Sequence, residues 1–259
     1  MQNTGAGLQT IADTIQRFQQ FKEFAKSEGV GRGELSPAYA QNLVSSVNTV
    51  MKAATRGEWR SVSPTRQCNI PPRCNVRSTP TPSKFGTQKL NLNERQAAIA
   101  SLAQNLGLRS KEASLLNAKA AYTEAAGRGV ISVSDGTKGG RFREVPITSE
   151  RQIEALREAA QVQGEARAVM PPEKDWKEWR EGGLREARET VAAFAKCRGL
   201  HDLRATYAAE RYEALVGHPA PCNGGTIIDR EADRTARMTI ANELGHGRID
   251  VVSSYVGGR

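Results

Sequence analysis

Negative charge is missing from one long stretch of this 259-residue chain: between Trp59 and Asn93 there is no Asp or Glu. Histidine is scarce as well. Only His201, His218 and His246 occur, with no His-x-His or His-x-x-x-His pair among them. The four cysteines, Cys68, Cys74, Cys197 and Cys222, contain no C-x-x-C spacing, so no zinc site is expected. Cys68 and Cys74 are near enough in sequence to meet, but reduced thiols are the default expectation. There is no G-x-x-x-x-G-K-[ST] loop to cradle a nucleotide, and no magnesium motif, so no cofactor is expected. No apolar run is long enough to cross a bilayer, and the mean hydropathy is −0.54. The first ten residues, MQNTGAGLQT, lack the basic-then-apolar order of a secretory signal. These absences predict a cytoplasmic protein that is not bound to a membrane.

What is present is positive charge. Lys and Arg number 37 against 28 Asp and Glu, a net charge of +9. An excess of this size suits a polyanionic partner, although charge alone fixes neither fold nor function. In the acid-free stretch stand Arg60, Arg66, Arg73, Arg77, Lys84 and Lys89, together with Pro64, Pro71, Pro72, Pro80 and Pro82. Proline at this density opposes regular structure and stiffens the chain. The stretch therefore reads as a basic interdomain linker over 58–90 whose arginines are candidate contacts to phosphates; the alternative is a solvated loop.

Upstream, Leu8, Ile11, Ile15, Phe18, Phe21 and Phe24 form an apolar stripe over 8–28. Gly29, Gly31 and Gly33 end it. Ser36 and Pro37 open a second helix as cap and first-turn proline, with Tyr39, Leu43, Val47 and Val50 expected inward. Downstream, Asn93-Glu94 starts a helix with Ala97, Ile99, Leu102 and Leu106 inward, and Gly107 stops it. Ser110 is expected to cap a short helix to Leu116. A hairpin follows, with Ile131 and Val133 on one strand, Val145 and Ile147 on the other, and Asp135–Gly140 as the turn. Helices are expected at 149–163, 173–197, 201–216, 230–244 and about 249–256. The fold class is mostly α, an α+β arrangement of helices around a small antiparallel sheet. The expected organisation is a helical module over 1–57, the linker over 58–90, and a main domain over 91–259.

Five clusters carry the chemistry: Arg109 and Glu112 in LGLRSKE, Lys138 in GTKGG, His201 and Arg204 in HDLR, His246 in LGH, and Tyr255 nine residues further on. Metal-free phosphodiester transfer needs fixed positive donors for the non-bridging oxygens, and arginine supplies a planar, always charged fork. It also needs a nucleophile, a proton acceptor for that nucleophile, and an acid for the departing oxygen. Each residue alone has an ordinary explanation. Lys138 suits a turn, His246 suits a helix C-terminus, Tyr255 suits a core, and Glu112 suits a helix's first turn.

Taken in order, LGLRSKEASLL, GTKGGRFREVPI, GLHDLRATYAAERY and ELGHGRIDVVSSY resemble the tyrosine recombinases, the phage-type integrases of mobile elements, over about Asn91–Tyr255. The resemblance implies that Arg109 and Arg204 clamp a scissile phosphate, with Glu112 holding Arg109. It implies that His246 bonds the same phosphate and that Tyr255 attacks phosphorus to give a 3′-phosphotyrosyl link. His201 would manage the tyrosine proton and Lys138 would protonate the 5′-oxygen. Arg141 and Arg143, beside the turn, are candidate backbone contacts. The implied partner is double-stranded DNA, held by a homotetramer on synapsed sites, with a possible accessory directionality factor; the setting would be the bacterial nucleoid.

Three features depart from the family pattern. Residues 213–235 look inserted between Arg204 and His246, only Val256–Arg259 follow Tyr255, and the N-terminal module shows two clear helices where more are expected. Two rivals stand beside the recombinase: a type IB topoisomerase with the same chemistry, and a non-catalytic DNA-binding accessory protein on the same fold.

Overall fold

The computed structural model describes residues 4–26, 35–73, 76–77, 81, 91–195 and 197–258. Gly29, Gly31, Gly33, Cys74, Pro80, Pro82, Lys84 and Lys89 lie outside them, as do the side chains of Phe18, Phe21 and Phe24. The chain divides into two compact units, Met1–Cys74 and Asn75–Arg259.

The first unit pairs α1 (Thr4–Lys26) with α2 (Pro37–Ala54). Ser36 caps α2, its side chain accepting from the Tyr39 amide, and Pro37 fills the first turn. Ile11, Leu35, Ala40 and Val44 form the core, with Ile15, Leu43 and Val47 packed against it. The expected inward face of α2 is corrected here. Tyr39 and Val50 are exposed, while Ala40, Val44 and Met51 point in. The two apolar rows on α2 are adjacent, and the one with small Ala40 wins because α1 comes close: a Cβ on Gly7 would lie 2.8 Å from Met51 Cγ.

Residues 59–73 contain no helix or strand, as the prolines require, yet they are packed. Cys68 and Ile70 are buried in the first unit's core. Asn48 accepts from Trp59 Nε1 and from the Val62 amide, both at 2.9 Å. Arg73 donates to Gln41 Oε1 at 2.9 Å and Asn42 Oδ1 at 2.7 Å.

The second unit is built of α3 (Glu94–Leu106), α4 (Ser110–Leu115), α5 (Ala118–Arg128), a hairpin of β1 (Val130–Val133) and β2 (Arg143–Pro146), then α6 (Glu150–Gln163), α7 (Trp176–Glu181), α8 (Gly183–Ala195), α9 (Leu200–Val216), α10 (Arg230–Glu243) and α11 (Ser253–Val256). The two strands are antiparallel, with Ile131 opposite Val145 and Val133 opposite Arg143. This is the mostly helical α+β fold with a small sheet that the pattern predicts. The α3 helix is central, packing on α6 and α9, and α9 in turn carries α10 and α11. Ile99, Leu102, Leu106, Leu203 and Tyr212 are wholly buried in its core.

Three expectations change. Helix α5 lies between α4 and the hairpin, where none is expected from the sequence. It buries only Ala118, Ala121 and Ala125, so its spacing carries little hydrophobic contrast. The stretch 173–197 is two helices, broken at Gly182. Ser110 is the first residue of α4 rather than its cap: the Arg109 amide is satisfied by the Glu112 carboxylate at 2.7 Å. Trp179 is core, its Nε1 donating to Ser114 Oγ at 3.1 Å, and Trp176 packs beneath Lys111.

Candidate active site

The site is assembled on two helix C-termini and one carboxylate. Gly107 ends α3 in the left-handed conformation (φ 63°), and any side chain there would strike Tyr207, 2.5 Å away. Its carbonyl accepts from Arg204 Nη1, and the carbonyl of Leu244, at the end of α10, accepts from Arg204 Nη2. Helix C-termini carry partial negative charge, so a buried guanidinium is held where two of them converge. Arg204 is 0% exposed. Burial pulls it down to about 10, opposed by attraction to Tyr255 and Glu112, so it stays charged at neutral pH.

Glu112 is the counter-charge. Its buried carboxylate receives Arg109 Nη1 at 2.6 Å and a two-pronged contact from Arg143 at 2.7 and 3.0 Å, with Arg204 Nη1 at 3.6 Å. Burial pushes its pKa upward, but Arg143, the Arg109 amide and Arg204 outweigh that and bring it down to about 2. Three arginines on one carboxylate leave a net positive cluster, and Arg109 is the member that keeps some surface open to solvent.

Tyr255 reaches this cluster from α11. Its hydroxyl lies 3.2 Å from His246 Nε2, and that nitrogen lies 3.3 Å from Arg204 Nη2. Arg204 Cζ sits 5.7 Å from the centroid of the Tyr255 ring. Arginine can only donate, so Nε2 of His246 is an acceptor and its proton resides on Nδ1. Nε2 can then accept the Tyr255 O–H as well. Burial and the charges of Arg204 and Arg109 depress His246 to about 4, so the ring is neutral at pH 7. His201, three residues before Arg204 on the same face of α9, makes a ring contact with Tyr255 at 5.6 Å between centroids. Its pKa is lowered by the surrounding protein and by Arg204.

Five of the six expected catalytic residues are thus brought together: Arg109, His201, Arg204, His246 and Tyr255. Lys138 sits in an exposed 3-10 turn between the strands. That turn is fixed against the start of α4, where a Cβ on Gly136 would lie 3.0 Å from the Lys111 carbonyl. Arg141 is exposed and passes close to Gly247. Arg143 is buried and bonded to Glu112 and to the Glu243 carbonyl at 2.8 Å, so it serves the cluster from inside rather than offering an outward charge. The signal was in the strand pattern: Arg143 shares the inward face of Val145. Arg77 is likewise buried, bonded to Asp202 at 3.0 Å. Arg60, Arg66 and Arg73 are exposed in the first unit.

One buried donor has no partner. Among the described residues, Arg204 Nε is the only buried side-chain nitrogen or oxygen without a hydrogen bond. Orphaned buried donors are costly and usually mark a ligand or strain at a functional site. No group of three or more His, Cys, Asp or Glu among the described residues is arranged to hold a metal ion, and no described helix is long and apolar enough to cross a membrane.

Comparison with known proteins follows the same line. Residues 85–210 match the family model described as Integrase, a span holding Arg109, Glu112, Lys138, His201 and Arg204 and ending before His246 and Tyr255. No curated protein sequence matches the chain. The structure is similar to the Tn1549 transposon integrase in complex with transposon right-end DNA, with TM-score 0.54 and 12% identity over 96% of this chain and 81% of that one. It is similar to the XerH site-specific recombinase bound to difH substrate, with TM-score 0.53 and 15% identity over 97% and 77%. It is also similar to lambda integrase bound to a COC′ core site, with TM-score 0.54 and 15% identity over 95% and 64%. At these identities the likeness is one of fold.

Proposed function

We infer function from the premise that the chain belongs to the tyrosine-recombinase (phage integrase) family. We propose that it is a site-specific DNA recombinase that cleaves and rejoins duplex DNA through a 3′-phosphotyrosyl intermediate on Tyr255, without metal or ATP. The observation that carries the reading is a phenol hydroxyl 3.2 Å from a neutral imidazole inside a three-arginine cluster.

In the proposed step, Tyr255 Oη attacks the scissile phosphorus and a P–O bond to tyrosine forms. The bond to the 5′-oxygen breaks, and that oxygen takes a proton from Lys138. Of the two histidines, His246 has the geometry to take the phenol proton, whereas His201 makes only a ring contact; this differs from the role that the family resemblance gives His201. Arg109 and the free Nε–H of Arg204 supply charge to the non-bridging oxygens. Preorganised donors of this kind typically contribute about 2.7–4 kcal/mol each to lowering a barrier. Religation by a 5′-hydroxyl reverses every transfer, so the phosphodiester's energy is kept in the protein–DNA link. The positive helical first unit and its exposed arginines are assigned to holding the duplex, and four protomers on two sites would exchange strands, with an accessory factor setting direction. The work would take place on bacterial DNA in the cytoplasm.

A suicide DNA substrate with a nick beside the cleavage point tests this. The wild-type protein should form an adduct that survives denaturing gel electrophoresis. Tyr255→Phe should bind the same DNA and form none. An adduct in the variant would assign the nucleophile elsewhere.

A further inference from the structure

The stretch 213–235 and the tail after Tyr255 are tied together by a buried arginine that the proposed chemistry does not use. Arg237, on α10, is 0% exposed. Its Nε donates to Asp233 Oδ1 at 2.7 Å. Its Nη1 donates to Ser253 Oγ and to the Gly257 carbonyl, both at 3.2 Å, and its Nη2 donates to the Gly258 carbonyl at 2.8 Å. Those acceptors lie two residues before Tyr255 and two and three after it. One guanidinium therefore grips both sides of the nucleophile. Asp233, which fixes the guanidinium, is itself held by Tyr212 Oη at 2.8 Å from α9.

The backing comes from the segment between α9 and α10. Cys222 Sγ contacts the Tyr255 carbonyl at 3.5 Å, and Gly257 (φ 96°) presses so close to Cys222 that a Cβ would sit 2.6 Å from its amide nitrogen. On the other side, the Arg77 amide donates to the Ser253 carbonyl at 2.9 Å. A four-residue helix cannot hold its own place by intrahelical bonds. Its position is imposed by these outside contacts.

We propose that Arg237 is a positioning residue for Tyr255, and that the 213–235 stretch is the wall against which it holds the tail in the same protomer. The proposal rests on Tyr255 being the nucleophile, but its first test does not. Tyr255 is 3% exposed and Tyr207, bonded to Glu243, is 5% exposed, while Tyr39 is 53% exposed. Nitration with tetranitromethane in the absence of DNA, mapped by mass spectrometry, should modify Tyr39 and spare the other two in the wild type. In Arg237→Met, Tyr255 should become reactive while Tyr207 stays protected. Gly257→Ala, which leaves Arg237 intact and pushes the tail off Cys222, should give the same pattern if Arg237→Met does not fold. Protection of Tyr255 equal to wild type in either folded variant overturns the clamp.

The second readout is single-turnover adduct formation on the suicide substrate. The rate should fall at least about 30-fold with DNA affinity within about twofold of wild type, and Arg237→Lys should recover part of it. A rate that is unchanged or raised overturns positioning even where nitration shows an opened tail. If the wild type forms no adduct, the failure belongs to the recombinase reading, and the nitration result still decides the clamp.

Discussion

Two sets of arginines, one in each unit, do opposite things. In the first unit Arg60, Arg66 and Arg73 are exposed, and Arg73 donates to two amide side chains. In the second, Arg77, Arg143, Arg204 and Arg237 are buried and each meets a carboxylate. Burial of a guanidinium is tolerated only with a close counter-charge and hydrogen bonds for most of its N–H groups, so Arg77, Arg143 and Arg237 are architectural, whereas Arg204 keeps one N–H without a partner. The lesson is that a count of 37 Lys and Arg overstates the positive charge available to a polyanion. Part of it is spent internally, where it fixes the site's shape, and only the exposed part steers and grips a partner.

The contrast can be broken most forcefully at Glu112. Glu112→Gln keeps the shape but leaves Arg109 and Arg143 without their counter-charge. Removing one partner of a buried pair costs about 3–5 kcal/mol, so chemical denaturation should show a loss of that order together with loss of adduct formation. A loss under about 1 kcal/mol would mean that the cluster is far better solvated than its burial indicates.

Protonation probes the same cluster more gently. His246 is held down to about 4 by burial and by Arg204, against an ordinary value of 6.5. The folded state therefore binds fewer protons than the unfolded chain between those values. Its contribution to stability is full above about 6.5 and is lost as pH falls through about 4. Imidazole resonances followed by NMR should show the Nδ1–H tautomer at neutral pH and a His246 midpoint near 4. A midpoint near 6.5 would mean that the ring is not in the arginine field.

The smallest effects are expected in the first unit. Arg60→Ala and Arg66→Ala should each leave stability within about 0.5 kcal/mol of wild type. Each should weaken DNA binding and flatten its dependence on log salt by about 0.9 per lost phosphate contact. An unchanged salt slope would remove these side chains from the interface.

Much of this was legible in the sequence because the motifs sit on regular elements. His201 and Arg204 share a helix face by their spacing, Gly107 had to end α3, and Lys138 had to ride a glycine turn. Less legible was whatever depends on small residues or distant partners. The alanine face of α5 lacks hydrophobic contrast, and the inward row of α2 is settled by the approach of Gly7 to Met51. Arg143 looked like an outward charge, although strand alternation with Val145 turns it inward. Arg77 finds Asp202, 125 residues on, and Arg237 finds the tail carbonyls, 20 and 21 residues on, only after folding, and no local pattern announces either partner.

The central claim is that Tyr255 is the nucleophile around which the arginine cluster is organised. Trapped protein–DNA adduct, digested with protease and nuclease and sequenced by mass spectrometry, tests it directly. The account predicts a nucleotide phosphate on the peptide containing Tyr255 and on no other tyrosine. A phosphate on Tyr207, Tyr212 or a serine of α11, or no covalent species with a cleavable site in hand, would contradict it.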